Sequence, residues 1–392
     1  MPQNAVYLNN AATTWPKPER VAKAMAAFLE GRGANLARGS ASERDLGTLD
    51  MVTTCRQAIA SLFGGPGADP RNVTFTANVT ESLNIVLKGF LEPGMRAATT
   101  SMEHNAVMRP LRRLEARGVR LTVMPCSPEG VLEETTLAQA LEEGLDLLVM
   151  THASNVCGTV QDMDRLAPLC REAGVPLVLD TAQTAGVLPV DAAGWNLAAC
   201  CFTGHKGLMG PQGTGGIFWR PDFADRCLPL VEGGTGSFSH EETQPSVLPD
   251  KFEAGTPNLP GLAGLLASLE WIAETGMDKV RKREDALGGR LLAGLLEIPG
   301  ITLYGHRAME GRLPVFALNF DGLDNGRAAL EFSDRWGIET RPGLHCAPGA
   351  HKTLGTFPQG ALRISPGFFS TEEEIGLCLE AVETIAGESR GR

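Results

Sequence analysis

The stretch from Leu147 to Asp180 constrains the fold more than any other part of the chain. Leu147-Leu148-Val149-Met150-Thr151 is an unbroken apolar run of strand length. Asp162 then stands as a cap before Met163, Leu166, Ala167, Cys170 and Ala173, spaced at helical three- and four-residue steps, and Gly174 closes the pattern. A second apolar run, Leu177-Val178-Leu179-Asp180, follows at once. Two buried strands joined by an amphipathic helix make a βαβ unit, so the sheet is mostly parallel. The same alternation from about Thr14 to Pro260 predicts an α/β protein with helices flanking that sheet. Ligands of such sheets bind at the carboxyl ends of the strands. Asp180, Thr203, Lys206 and the run from His152 to Asn155 all fall at such ends.

A boundary is expected near Pro257 to Pro260. Helices over 261–275 and 278–296 follow, then strands at Val315–Phe320 and Ala361–Ser365, which read as a smaller α+β domain. Residues 14–260 are therefore assigned to a large domain, and 1–13 with 261–392 to a small one. Thr371 and Glu374 form a candidate capping box for a last helix, and the polar tail after Gly387 is expected to fray.

With 392 residues, the chain has room for both domains. Its net charge of −11 argues against nucleic acid or an anionic membrane as partner. Met1 to Asn10 lacks the basic and apolar segments of a secretory signal, and no apolar run approaches the roughly 20 residues of a membrane span. The nine cysteines include no Cys-x-x-Cys pair and no zinc spacing, and the seven histidines no His-x-x-x-His pair. Reduced thiols in the cytoplasm, and no metal, are the expectation.

Lys206 carries the strongest chemical signal. It follows the apolar run Cys200-Cys201-Phe202-Thr203 through a small-residue turn, Gly204-His205. A lysine fixed just past a buried strand end is partly desolvated, which lowers its pKa and frees its amine as a nucleophile toward an aldehyde. Asp180 ends the neighbouring strand. A lysine to form a Schiff base and an aspartate to keep a pyridine nitrogen protonated are what pyridoxal 5′-phosphate requires. The competing reading is plain: such a Lys is often a solvated loop residue, and such an Asp a turn former.

Together these motifs resemble the class V aminotransferase family of fold-type I pyridoxal phosphate enzymes, and within it the cysteine desulfurases and selenocysteine lyases. The resemblance runs from Tyr7-Leu8-Asn9-Asn10-Ala11-Ala12-Thr13-Thr14 to Arg363. It implies a seven-stranded, mostly parallel sheet with a smaller C-terminal α+β domain that carries a catalytic cysteine loop. The turn Asn78-Val79-Thr80 corresponds to the one that cups the cofactor phosphate at a helix N-terminus. Relatives carry Gly-Thr-Thr there, so one hydroxyl is lost. Thr203 and His205 correspond to further phosphate contacts. Thr256, and with it Gly234, corresponds to contacts that the second subunit of a homodimer donates. His104, in Glu103-His104-Asn105, corresponds to the histidine stacked on the pyridine ring and placed to handle protons; the alternative is a histidine that merely caps a helix. Gln183 would reach the phenolic oxygen, and Asn155 both ring and substrate carboxylate. Arg363 corresponds to the two-pronged carboxylate grip, with Asn10, Ala12 and Arg341 on the same substrate side.

The segment Arg341-Pro342-Gly343-Leu344-His345-Cys346 resembles the nucleophile loop of the desulfurase group with the shorter catalytic loop, and Gly343 and Gly349 are read as letting it move. Cys346 would attack the substrate sulfur and hold it as a persulfide; otherwise it is one inert thiol among nine. The resemblance thus implies conversion of L-cysteine to L-alanine, with a sulfur-acceptor protein downstream. Selenocysteine lyase, a β-lyase or an aminotransferase, and a persulfide relay or scaffold remain open. Gly213-Thr214-Gly215-Gly216 does not open a helix, which excludes a dinucleotide loop.

Overall fold

The computed structural model describes residues 5–32, 34–36 and 42–390. Among them the strands are β1 (Val6–Tyr7), β2 (Val73–Thr76), β3 (Arg96–Thr100), β4 (Arg120–Met124), β5 (Leu147–Thr151), β6 (Leu177–Asp180), β7 (Ala199–Thr203), β8 (Gly215–Trp219), β9 (Ile301–Tyr304), β10 (Phe316–Phe320), β11 (Ile338–Glu339), β12 (Arg341–Gly343) and β13 (Ala361–Ile364). The large sheet has seven strands in the order β2-β8-β7-β6-β5-β3-β4. The run β7-β6-β5-β3-β4 is parallel, and β8 is antiparallel to both of its neighbours.

The apolar runs are continuous because both faces of this sheet are covered. Alternate residues face opposite cores, as the period of two requires. Leu148, Met150, Leu179 and Cys200 pack with Phe63 and Leu262, while Leu147, Val149, Val178 and Cys201 pack with Leu83 and Val107. The first pair of packing partners lies on the helices Glu43–Gly64 and Leu259–Thr275, the second on Val79–Phe90 and Asn105–Glu115. β5 and β6 are parallel neighbours, with Thr151 opposite Asp180.

A second sheet, β12-β13-β10-β9, is antiparallel and packs against the helices Met277–Glu297 and Glu372–Arg390. The short β1 joins β11 in parallel, which ties the N-terminal segment to the C-terminal third of the chain. The chain runs from β4, at one edge, to β5 on the other side of β3. The sheet therefore has a switch point near β3 and β5, where a cleft opens at the strand carboxyl ends.

Two local expectations change. Asp162 precedes the helix Met163–Glu172, but its side chain makes no capping bond. The last helix continues to Arg390 rather than fraying at Gly387, because Ile385 and Ala386 are buried in the second core and Ser389 bonds back to the Ile385 carbonyl. The capping box does form. The Thr371 N–H donates to Glu374 Oε2 at 2.8 Å, and the Glu374 N–H donates to Thr371 Oγ1 at 3.1 Å.

Candidate active site

Lys206 sits in the turn after β7, and its backbone is clamped by the N-terminal segment. Thr14 Oγ1 donates to the Lys206 carbonyl at 2.7 Å, and the Thr14 N–H and Thr13 Oγ1 both donate to the His205 carbonyl at 3.0 Å. At Gly207 an added Cβ would lie 2.5 Å from the Ala185 carbonyl oxygen, so only glycine lets this turn seat against the segment after β6. Lys206 keeps some surface at the floor of the cleft but is closely surrounded. Desolvation pulls its amine down to about 8, against the opposing pull of Asp180, while Arg363 and Arg341 push it further down. A substantial fraction of neutral amine is thus available near neutral pH.

Asp180 is buried at the end of β6, where Oδ1 accepts the Ala182 N–H at 2.9 Å. Burial raises its pKa, and that backbone bond and Lys206 oppose the rise. On the other side of β5, His104 follows β3 and caps the helix Asn105–Glu115: its Nδ1 accepts the Ala106 N–H at 3.0 Å. His104 thus caps this helix whatever else it contacts, and the bond fixes the tautomer, with Nδ1 bare and Nε2 left for other contacts. Burial lowers the ring to about 4, helped by Lys206, Arg341, Arg109 and Arg363, so it is neutral at neutral pH.

Beneath His104 lies a group whose role the sequence did not single out. Glu103 is 1 % exposed; its Oε1 accepts Thr100 Oγ1 at 2.6 Å and the Thr151 N–H at 3.1 Å, while Oε2 has no partner among the described residues. Burial, aided by Asp180, raises its pKa to about 8 against those two bonds, from an ordinary value near 4.5. Between these values the folded state holds a proton that the unfolded chain has released. The contribution of Glu103 to stability therefore falls as pH rises from about 4.5 to about 8. Glu103→Gln cannot titrate and should remove that part of the pH dependence, on the order of 5 kcal/mol across this range. Denaturant midpoints at pH 5, 6.5 and 8 check this; an unaltered slope in the variant would assign the titration to another group.

Arg363 on β13 is 1 % exposed and has no carboxylate partner among the described residues. Its Nη1 donates to the Asn155 carbonyl and its Nη2 to Asn9 Oδ1, both at 2.9 Å, and its Nε–H has no partner among the described residues. Desolvation, with Arg341 adding repulsion, lowers it to about 9. Arg341 lies directly opposite on β12. Two adjacent guanidiniums with a free N–H edge, in a protein of net charge −11, make a local site for a carboxylate. The sequence pointed to Asn10 here, but its amide is consumed internally, donating to the Ser365 carbonyl and accepting the Trp15 N–H, each at 3.1 Å. Asn9 is the residue that touches Arg363. Ala12 stays half-buried in the same turn, its N–H on the Asn9 carbonyl.

Cys346 is exposed at the cleft wall, close enough for its charge to be felt by Lys206 and Arg363. Its loop is not built to swing on Gly349. An added Cβ there would lie 2.8 Å from the Ser101 carbonyl oxygen, so this glycine serves a close approach between the helix Pro348–Thr353 and the turn after β3. The loop is held instead: Asn155 Nδ2 donates to the His345 carbonyl at 2.8 Å, and the Asn105 N–H to the Cys346 carbonyl at 2.7 Å.

The turn read from the sequence as a phosphate cup forms the start of the helix Val79–Phe90. Asn78 caps it by accepting the Glu81 N–H at 3.0 Å, Thr80 is exposed, and the first-turn N–H groups of Val79 and Thr80 point outward as in any helix start. Among the described residues Thr203 Oγ1 is buried with only a long 3.5 Å bond to the Thr214 carbonyl, and His205 Nδ1 is buried with no partner. Desolvation, then Lys206 and Lys17, lower His205 to about 4. Unpaired donors beside a helix start and a desolvated lysine fit a phosphate-bearing aldehyde. Gln183 Nε2 bonds the Ala11 carbonyl at 3.1 Å, and Gln183, Asn10 and Lys206 line one small cavity.

Gly234 and Thr256 make none of these hydrogen bonds. The Gly255 N–H bonds the Gly234 carbonyl at 2.8 Å, and Thr256 is exposed on a cavity of about 230 Å³ shared with Thr76, Ala77, Glu81 and Gly213. Glu253 pins this segment to β2, accepting Arg56 Nη1 and the Phe75 N–H at 2.6 Å each. Among the described residues no His, Cys, Asp and Glu gather as a metal site.

The family model described as aminotransferase class V matches residues 6–377. A probable cysteine desulfurase of Methanothermobacter thermautotrophicus is 32% identical over 387 residues, 97% of this chain and 95% of that protein. The apo structure of a cysteine desulfurase from Thermococcus onnurineus superposes with a TM-score of 0.91 at 29% identity, covering 98% of this chain and 95% of that one. The structure of the cysteine desulfurase CsdA from Escherichia coli gives 0.86 at 26% identity, again covering 98% and 95%.

Proposed function

Because this chain belongs to the class V aminotransferase family, we propose that it is a pyridoxal-phosphate-dependent cysteine desulfurase that converts L-cysteine to L-alanine and keeps the sulfur as a persulfide on Cys346. The observation that carries this reading is the exposed thiol of Cys346 held at the same cleft as the desolvated Lys206 and the paired arginines. Bound at this site, pyridoxal phosphate supplies an aldehyde for amines and a ring that accepts electrons. Thr80, Thr203 and His205 would hold its phosphate, Asp180 its ring nitrogen, Gln183 its phenolic oxygen and His104 its ring face.

The chain's own side chains do the rest. The free N–H edge of Arg363, with Arg341 beside it, orients the substrate carboxylate, and Asn9 and Asn155 fix the guanidinium plane. Lys206 removes the proton from the substrate α-carbon and returns protons to the carbon fragment. The Cys346 thiolate attacks the substrate sulfur. A sulfur–sulfur bond forms, the carbon–sulfur bond breaks, and the electron pair stays with carbon, which ends protonated as alanine. Sulfur is oxidised and carbon reduced, with no further reagent needed.

The test is product analysis. L-cysteine should give alanine and one equivalent of sulfane sulfur on Cys346 per site. Pyruvate and free sulfide would indicate a β-lyase. Turnover of selenocysteine alone would indicate a selenocysteine lyase. A chain that carries sulfane sulfur without making alanine would be a relay.

The same proposal makes the protein a homodimer that passes sulfur to an acceptor protein. Exposed Leu228, Leu230, Val231, Phe238 and Val247 lie in the segment that also carries Gly234, which supports a partner surface there. Thr256 would then reach the partner's phosphate turn. Thr256→Ala should weaken cofactor binding by about 1 kcal/mol, roughly a fivefold rise in Kd by spectral titration. A monomer in sedimentation that holds cofactor as tightly as concentrated protein would refute the shared site. No helix among the described residues is long and apolar enough to cross a membrane, and all nine cysteines are free thiols, in keeping with a reducing cytoplasm.

A further inference from the structure

We infer that His351 is a positioning residue for the nucleophile, acting through His345 to hold Cys346 at the cleft wall. The inference rests on Cys346 being the nucleophile, as proposed above.

The backbone at the nucleophile is unusual. His345 has φ +49° and Cys346 φ +57°, two successive non-glycine residues in the left-handed region. Each costs on the order of 1 kcal/mol and persists only where neighbours over-determine it. The turn they make presents the Cys346 side chain outward while His345 is 4 % exposed.

A buried chain of hydrogen bonds supplies the restraint. His345 Nε2 is 2.8 Å from the Arg341 carbonyl, His345 Nδ1 is 3.2 Å from His351 Nε2, and His351 Nδ1 is 2.7 Å from Thr356 Oγ1. The carbonyl end fixes every proton. A carbonyl only accepts, so His345 carries its proton on Nε2 and leaves Nδ1 bare. His351 must then donate from Nε2, and its bare Nδ1 accepts the Thr356 hydroxyl at 2.7 Å, in preference to the His351 carbonyl, which lies 3.3 Å from the same hydroxyl. Both rings are neutral, which burial favours: it lowers His345 to about 3 and His351 to about 4. The two rings lie nearly coplanar and edge to edge, with centroids 5.4 Å apart and 28° between planes, as the hydrogen bond between them requires. His351 is fully buried on the helix Pro348–Thr353, whose N-terminal end starts two residues after Cys346.

Without the His351 donor, His345 Nδ1 would be a buried acceptor with no partner. The relief available to it is to rotate out of the left-handed region, and that rotation carries Cys346 with it. The Arg363 guanidinium should stay in place, because it is held by the Asn9 side chain and the Asn155 backbone carbonyl, although Arg341 and the Asn155 side chain do touch His345. A role in positioning therefore separates binding from chemistry.

The experiment compares His351→Ala, His351→Gln and Thr356→Val in the purified protein loaded with pyridoxal phosphate. The glutamine amide can offer an N–H in place of Nε2. His351→Ala should lower kcat for sulfur release by about tenfold or more, the scale of a small misplacement of a reacting group. KM for cysteine should stay within about twofold, since the carboxylate grip is intact. The visible spectrum of the bound cofactor should not change. The rate at which iodoacetamide alkylates Cys346 should change in the same variant, a readout that needs no turnover. His351→Gln should recover most of the loss, and Thr356→Val should show a smaller effect of the same kind. An unchanged kcat in His351→Ala would overturn the inference. So would a loss shared by kcat, KM and thermal midpoint that glutamine does not repair, which is the mark of a merely structural residue. Should the alanine variant fail to fold, the glutamine and valine variants decide: wild-type kcat in both, with wild-type alkylation of Cys346 in Thr356→Val, would overturn it. If wild-type protein makes no alanine from cysteine, the proposed function fails, whereas the alkylation rates still report on the positioning of Cys346.

Discussion

Lys206→Ala is expected to yield a folded protein with no measurable turnover, a loss of more than about 10³-fold from proton transfer alone. Folding should survive because the turn is held by backbone contacts the truncation leaves in place. Thr14 Oγ1 and the Met209 N–H both bond the Lys206 carbonyl at 2.7 Å. Removing an amine that burial holds near 8 also removes a desolvation cost. The one confounding amine nearby is Lys17, which burial likewise lowers to about 8. Its Nζ is committed to the Thr14 and His205 carbonyls at 3.2 Å each, so it should not replace Lys206. Borohydride reduction of wild-type protein loaded with pyridoxal phosphate, followed by peptide mapping, should place the adduct on Lys206 and leave the variant unlabelled. An adduct on Lys17, or residual turnover within tenfold of wild type, would refute the assignment.

That Lys206 could be found at all in the sequence follows from burial on both faces of the sheet. A strand such as β6 must be apolar throughout, so the first polar residue at its carboxyl end stands out, and Asp180, Thr203 and Lys206 are such residues. Arg363 was legible only through the motif around it: nothing in Ala361-Leu362-Arg363-Ile364 distinguishes a buried cation from one on an exposed edge. What the sequence hid depends on contacts between distant segments. Asn9 and Asn10 are adjacent and identical, and only the pairing of the N-terminal turn with Ser365 decides which of them meets Arg363. Thr13 and Thr14 clamp a lysine more than 190 positions away, which no local pattern encodes. Gly349 reads as a hinge until the Ser101 carbonyl is seen against it. Glu103 sits inside a recognised motif, yet its proton is set by packing around β3 and β5. His351 lies six residues from His345, a spacing that fits no metal motif, and the pair meets only because two left-handed residues fold the loop back.

Cys346→Ser should keep the bound cofactor's absorbance and the KM for cysteine while losing sulfur release by more than about 10²-fold, since a hydroxyl cannot take sulfane sulfur. The substitution is nearly isosteric and the Cys346 carbonyl bond to the Asn105 N–H does not involve the side chain, so the loop should stay in place. Another thiol is poorly placed to substitute. Cys55, Cys170, Cys227 and Cys378 are buried, and burial raises each to about 12; Cys200 and Cys201 are raised further inside β7. Cys126 is partly exposed, yet desolvation raises it to about 11, so little of it is thiolate at neutral pH. Cys157 is buried against Thr159. Cys346 is the one cysteine among the nine that is exposed, and it lies at the same cleft as Lys206 and Arg363. Mass spectrometry after a single turnover should therefore find 32 Da, one sulfur atom by its chemical mass, on Cys346 (~32 Da for the persulfide). With selenocysteine the loss should be smaller, because a selenol leaves with less assistance. Full desulfurase activity in Cys346→Ser would move the chemistry toward β-elimination, and a persulfide mapped to Cys55, Cys126 or Cys157 would move the nucleophile away from this loop.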